Sequence, residues 1–191
     1  MIEFLRMSDA REMRAGLGAL IGLMVTGFVN TLALGSSADV PLLVAPMGAA
    51  AVLLFAVEKS PLAQPWNVIG GNMLSALVGV TVASLVGNLV LASGLACGGA
   101  IIVMMALRCV HPPGGAVAMT AVLGGPSIQS AGYGFVLWPV GINCVLLLFM
   151  ALLITRLELP RLQALRIQIG RLQAWRIDTG HRNIARQPAE M

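Results

Sequence analysis

Arg108-Cys109-Val110-His111-Pro112-Pro113-Gly114-Gly115-Ala116-Val117-Ala118 interrupts, near its middle, an otherwise apolar run from Gly94 to Gly125. Paired prolines cannot continue a helix, because each removes a backbone N–H and its ring collides with the preceding turn. At a helix start the same residue costs nothing, since an N–H there has no intrahelical partner. The stretch therefore predicts a broken segment and a fresh short helix, Pro113–Gly124, of roughly 18 Å. That is too short to cross a hydrocarbon core of about 30 Å.

A second interruption sits earlier, in the apolar region Val40–Val57, at Pro41 and at Pro46-Met47-Gly48. Pro46-Met47-Gly48-Ala49-Ala50-Ala51 and Pro113-Gly114-Gly115-Ala116-Val117-Ala118 share the pattern P-x-G-A-x-A, and Pro46–Val57 reads as another short helix. Working outward, Ala15–Gly35, Val68–Ala92 and Phe135–Thr155 are each long and apolar enough to span a bilayer, which takes about 20 residues. The expected fold is an all-α, polytopic transmembrane helix bundle with two broken or half-length helices. Its segments lie near 15–35, 40–57, 68–92, 94–109, 113–124 and 135–155. Two units, Ala15–Ala92 and Gly94–Thr155, would be antiparallel if all three segments in each cross, the inverted-repeat plan of many transporters. Six crossings, or four crossings plus two re-entrant segments, fit equally.

Composition agrees. Hydrophobic residues make up 58% of the 191 and charged residues 10%, against about 25% charged in a soluble domain. From Lys59 to Thr155 there is no Asp or Glu, and the bases are Lys59 and Arg108. Arg6, Arg11 and Arg14 precede the first span, and seven arginines follow the last, from Arg156 to Arg186. The positive-inside rule then places a basic N-terminus (1–14) and a basic tail (156–191) in the cytoplasm, around a membrane domain at 15–155. A bacterial cytoplasmic membrane is the expected location. The first apolar stretch is too long for a signal peptide. Cys97, Cys109 and Cys144 read as buried structural thiols.

Gly71, Ser75, Gly79, Ala83 and Gly87 recur every four residues, as do Gly18, Gly22, Thr26 and Asn30. Small residues so spaced let helices approach closely in lipid and make a homo-oligomer plausible. In the tail, arginine begins a short repeat every five residues from Arg156 to Arg176. Five residues advance 500° at 100° each, so the arginines wrap the helix and suit anionic lipid better than nucleic acid.

Irregular backbone at membrane depth must line protein or a cavity. The starts of the two short helices, with their unpaired N–H groups and partial positive charge, would face such a cavity. Pro46, Met47, Gly48 and Ala49 on one side, and Pro112, Pro113, Gly114, Gly115 and Ala116 on the other, are the candidate lining. Their backbone N–H groups would hold a solute that the glycines let approach. His111 either caps the broken helix as a neutral ring or tunes selectivity and carries a proton. Arg108 either reaches the interface or contacts an anion. Asn72 and Asn143 are expected to bond between helices, with Asn72 the better solute contact. Cation pathways usually place carboxylates in the membrane; their absence favours an anionic or neutral solute. Neither a metal-ligand cluster, nor a cofactor motif, nor an acid–base constellation is present, so an enzyme is not expected.

His111-Pro112-Pro113-Gly114-Gly115-Ala116, with Pro46 to Phe55, Ser60-Pro61-Leu62-Ala63-Gln64-Pro65, Asn67 to Gly71 and Leu74 to Gly79, resembles the HPP family of membrane proteins from about Arg14 to Thr155. Members occur in bacteria, and plant members in the chloroplast envelope are implicated in nitrite transport. The resemblance thus implies a transporter or channel for a small inorganic anion, nitrite first. The family pattern carries an aromatic where Met47 stands, arginine where Trp66 stands and histidine where Asn72 stands, so selectivity or coupling could differ. A passive channel for a neutral solute, or a non-transporting assembly or regulatory subunit, are the alternatives.

Overall fold

The computed structural model describes residues 10–34 and 45–156, and among them the only regular structure is helical. The elements are α1 (Ala10–Leu34), α2 (Pro46–Ala51, extended by a π-helical turn Val52–Ala56), α3 (Pro65–Leu85), α4 (Leu89–Ala106), α5 (Pro112–Leu123) and α6 (Pro126–Ala131). The last, α7, covers 142–156 and follows a kinked stretch, Val136–Gly141. The helices that build the site belong to one compact unit, Met1–Ala151; a second, Leu152–Met191, begins inside α7. Beyond Arg156 the arginine repeat of the tail lies outside the described residues, as do Arg6 and the connection 35–44.

Among the described residues four helices are long and apolar enough to cross a membrane: Glu12–Leu32, Pro65–Leu85, Leu89–Ala106 and Val136–Arg156. Pro46–Ala56 and Pro112–Leu123 are the shorter apolar helices. Three expected boundaries need correction. The span expected at Val68–Ala92 runs from Pro65 and ends at Leu85, where Val86 turns extended. Asn88 then caps α4, its side-chain oxygen accepting from Leu91 N–H at 3.0 Å, an Asx cap that an apolar reading passes over. The span expected unbroken from Phe135 contains Pro139, and Trp138 before it is extended, as a residue preceding proline prefers.

The directions of the helices follow from their contacts. Glu58 lies 3.8 Å from Arg14, and Phe55 packs on Gly18 and Gly22, where an added methyl would meet its ring at 2.7 and 2.8 Å. So α2 ends beside the beginning of α1 and is antiparallel to it. The turn Pro61–Ala63 leads straight into α3, which starts at the same end. A methyl at Gly114 would meet Ser75 Oγ at 2.6 Å, and one at Gly79 would meet the Ala118 carbonyl at 2.4 Å; hence α5 runs parallel to α3. Trp66 at the start of α3 touches Leu107 just past α4, making α3 and α4 antiparallel. The amides of Asn30 and Asn143 are bonded and Gly22 packs on Leu147, so α7 opposes α1. The order α1–α2–α3 is therefore repeated with every direction reversed by α4–α5–α7.

Depth follows too. Ser75 is ten residues into α3, or about 15 Å, half of a hydrocarbon core. The first turn of α5 thus begins at mid-depth, and α2, about 16 Å long, reaches a similar depth from the Arg14 end. The two short helices pack on each other and extend from the middle in opposite directions.

Close approach of α3 to α5 holds this arrangement, so Gly79→Ala is expected to lower stability by about 1–3 kcal/mol through overpacking. Gly98→Ala, where a methyl meets nothing within 4 Å, should leave it unchanged. Thermal unfolding of the detergent-solubilised protein compares the two.

Candidate functional site

The broken stretch 107–111 carries carbonyls that lipid could not satisfy. Side chains from the start of α3 do so: Trp66 Nε1 donates to Leu107 O at 3.2 Å and Asn67 Nδ2 to Val110 O at 2.8 Å. The stretch also closes on α4, with Cys109 N–H donating to Met104 O at 2.9 Å and Arg108 N–H to Met105 O at 3.2 Å. Arg108 has a φ of 55°, the left-handed position usually given to glycine just past a helix end. Its side chain is exposed, so the structure leaves it outside the buried site.

His111 is fully buried. Its Nδ1 lies 2.9 Å from Leu62 O, and a carbonyl only accepts, so Nδ1 carries the proton. The ring stitches the loop before α3 to the start of α5. The carbonyl bond foreseen for a neutral His111 ring is present, but the side chain makes no capping bond to α5.

The expected cradle of backbone N–H groups needs correcting. At α5 the groups without an intrahelical partner would be those of residues 111–114, but Pro112 and Pro113 have none and Gly114 N–H donates to His111 O at 2.8 Å. Gly115 and Ala116 already lie within the ladder of α5. At α2, Gly48 N–H likewise donates to Ala45 O at 3.0 Å. Gly114 and Gly115 are buried packing positions: a methyl on Gly114 would strike Ser75 Oγ, Gly71 O and Met104 Sδ, and one on Gly115 would sit 3.4 Å from Cys97 Sγ. Of the remaining lining residues, Pro46, Met47 and Pro113 are buried, whereas Gly48, Ala49, Pro112 and Ala116 are exposed.

Instead, three buried side-chain atoms of α3 and of the loop before α5 have no partner among the described residues: His111 Nε2, Asn72 Oδ1 and Ser75 Oγ. Asn72 donates to Val68 O at 2.8 Å within its own helix and reaches between helices to Cys144 of α7, a side-chain hydrogen bond. Asn143 bonds between helices too, with Asn30. Gly71 and Ser75 face the loop and first turn of α5, as the close approaches to His111 Cβ and Gly114 record. All three polar residues have zero exposure, so the site is sealed in this conformation. A cavity of about 340 Å³ lies at the other end of α3 and α5, lined by Val80, Ser84, Ala121, Ile128 and Gln129 among others. Cys109 and Cys144 are buried and Cys97 is only partly so. Among the described residues no group of His, Cys, Asp or Glu could hold a metal.

The sequence reading missed Ser75 as a site residue, treating it only as a small packing residue. It also missed Trp66 and Asn67 as donors to the broken stretch. The signal was available in polar residues at a proline-started helix facing a break that needs donors.

A helix bundle with two half-length helices meeting at mid-depth around buried polar groups defines an integral, polytopic membrane protein. Residues 6–163 match the family described as HPP, transmembrane region, and the chain belongs to that family. It is 34% identical over 142 residues to one transmembrane protein of Dictyostelium discoideum and 33% identical over 142 residues to another, each match covering 72% of this chain. The chain spans about half the length of these relatives, 49% and 45%. No solved structure matches it.

An unpartnered buried hydroxyl stabilises nothing, so Ser75→Ala is expected to keep stability or raise it by about 1 kcal/mol. Asn143→Ala should lower it by about 1 kcal/mol, the scale of an interhelical bond in lipid. Unfolding of both variants in detergent checks the contrast; a Ser75→Ala loss as large as that of Asn143→Ala would mean the hydroxyl is bonded.

Proposed function

We propose that this protein is a membrane transporter for a small inorganic anion, with nitrite the first candidate, acting through a mid-depth site between the starts of α2 and α5. The observation that carries the reading is the buried, unpartnered set His111 Nε2, Asn72 Oδ1 and Ser75 Oγ at the level where both short helices begin. Buried polar groups without partners are costly, and retaining them where half-helices meet suits a solute that completes their hydrogen bonds. The positive end of the α5 dipole lies at that level and favours negative charge. The carboxylates among the described residues, Glu12 and Glu58, lie at the Arg14 end, away from this level. Nitrite comes from the family resemblance and from no contact in the fold.

Sidedness, location and assembly belong to the same reading. Glu12, Arg14, Glu58, Lys59 and Arg108 gather at one end, while the turn after α3 and the α6 region carry no charge. That end is assigned to the cytoplasm, with both termini, in a bacterial inner membrane whose anionic lipids the basic tail meets. The open face of Gly94 on α4 suits a homo-oligomer. No catalytic chemistry, cofactor or nucleic-acid partner is proposed. A channel for a neutral solute is the second reading, favoured by the scarcity of free N–H donors at the start of α5.

Purified protein in liposomes should take up nitrite faster than empty liposomes. Ser75→Ala should reduce the rate by about tenfold, the weight of one hydrogen bond to a charged group. Uptake no faster than empty liposomes, from folded protein, would remove nitrite; an equal rate in Ser75→Ala would remove this site.

A further inference from the structure

The hydrogen-bond sense of the mid-depth atoms says what form of solute they can receive, and this inference rests on the anion reading above. Leu62 O fixes the His111 proton on Nδ1, so the neutral ring turns a lone pair, at Nε2, toward a position with no partner among the described residues. Val68 O fixes the amide of Asn72 in the same way, since Nδ2 must face the carbonyl; Oδ1, which only accepts, is left bare. Ser75 Oγ is the one member that can donate. A bare anion would therefore meet two lone pairs and a single hydroxyl. The helix starts do little to redress this: at α5 two prolines lack N–H groups and Gly114 N–H is engaged by His111 O, and at α2 Gly48 N–H is engaged by Ala45 O.

We infer that the site receives the conjugate acid of a small monoprotic oxyanion, so that one proton crosses with each anion. The solute O–H donates to His111 Nε2. Transfer breaks that O–H bond, leaves its electron pair on the oxygen and forms an N–H bond, giving an imidazolium beside the anion. Ser75 Oγ–H then donates to the anion, and Asn72 Oδ1 accepts from a water that enters with it. Release reverses the transfer, with no oxidant or reductant involved. The Leu62 carbonyl still accepts from Nδ1–H throughout, so the ring keeps its orientation while its charge changes. No acidic side chain among the described residues opposes the imidazolium: Glu58 is paired with Arg14, Glu12 is exposed, and Gly71 of α3 packs against His111. The anion is its counter-charge, which makes passage electroneutral and restricts it to anions of weak acids.

The test uses the full chain in liposomes with nitrite, formate, nitrate and chloride as probes, the voltage clamped by potassium and valinomycin, and a pH dye inside. Nitrite and formate accumulation above that of empty liposomes should follow the pH gradient, acidify the lumen and ignore the clamped voltage. Nitrate and chloride should move at least about tenfold more slowly, for want of one charged hydrogen bond. His111→Gln can still donate to Leu62 O but cannot take a proton, and should lose the proton-linked flux. Passage of a bare anion would instead change the accumulation ratio about fiftyfold per 100 mV. Voltage-driven accumulation without lumenal acidification, or unchanged proton-linked flux in His111→Gln, overturns the proton pairing and leaves the anion site standing. Absence of flux for all four anions removes the anion reading and this inference with it. The wild-type voltage comparison decides the matter should His111→Gln fail to fold.

Discussion

Everything in this fold depends on keeping a non-helical backbone alive inside a bilayer. Between Ala106 and Pro112 the chain leaves α4, reaches mid-depth and begins again as α5, and lipid offers no partner to the carbonyls it uncovers. Trp66 and Asn67 supply two donors, and His111 reaches back to the loop that precedes them. The three bonds tie the starts of α3 and α5 and the end of α4 into one joint. Without that joint, α5 would have no reason to begin where it does.

The same joint decides what the glycines are for. Gly71, Gly79 and Gly114 bring α3 and α5 so close that a methyl at any of them would fall within 2.4–2.7 Å of a neighbouring atom. Glycine serves here for backbone proximity between helices, the role small residues play in lipid. Polar function passes to side chains wedged at the level of the contact. Ser75 and Asn72 are both fully buried at that level.

Much of the plan was legible in the chain. The two proline-started half-helices, their mid-depth origin and the reversal between the halves all follow from Pro46, the prolines at 112–113 and the apolar lengths around them. Boundaries were less so. Asn88 and Pro139 are single residues in apolar stretches, and a hydropathy reading averages them away although one caps a helix and the other ends one. The site was half legible. His111 and Asn72 stood out as polar residues in apolar company, but the identity of the donor atoms did not. Whether a glycine N–H is free depends on which carbonyl lies three or four residues behind it, and whether an imidazole nitrogen is bare depends on Leu62, forty-nine residues away. Sequence spacing carries neither fact.

The paired prolines have a last consequence. The reversed repeat gives the two halves the same order of helices in opposite directions, yet one short helix opens Pro46-Met47 and the other His111-Pro112-Pro113. A perfectly matched pair would present identical surroundings to a traveller from either side. Here the midpoint has a handed chemistry: a thioether and an ordinary amide on one flank, an imidazole and missing amides on the other. The scaffold is thus palindromic in architecture but not in its reading, and a solute approaching from opposite compartments meets the same residues in opposite order.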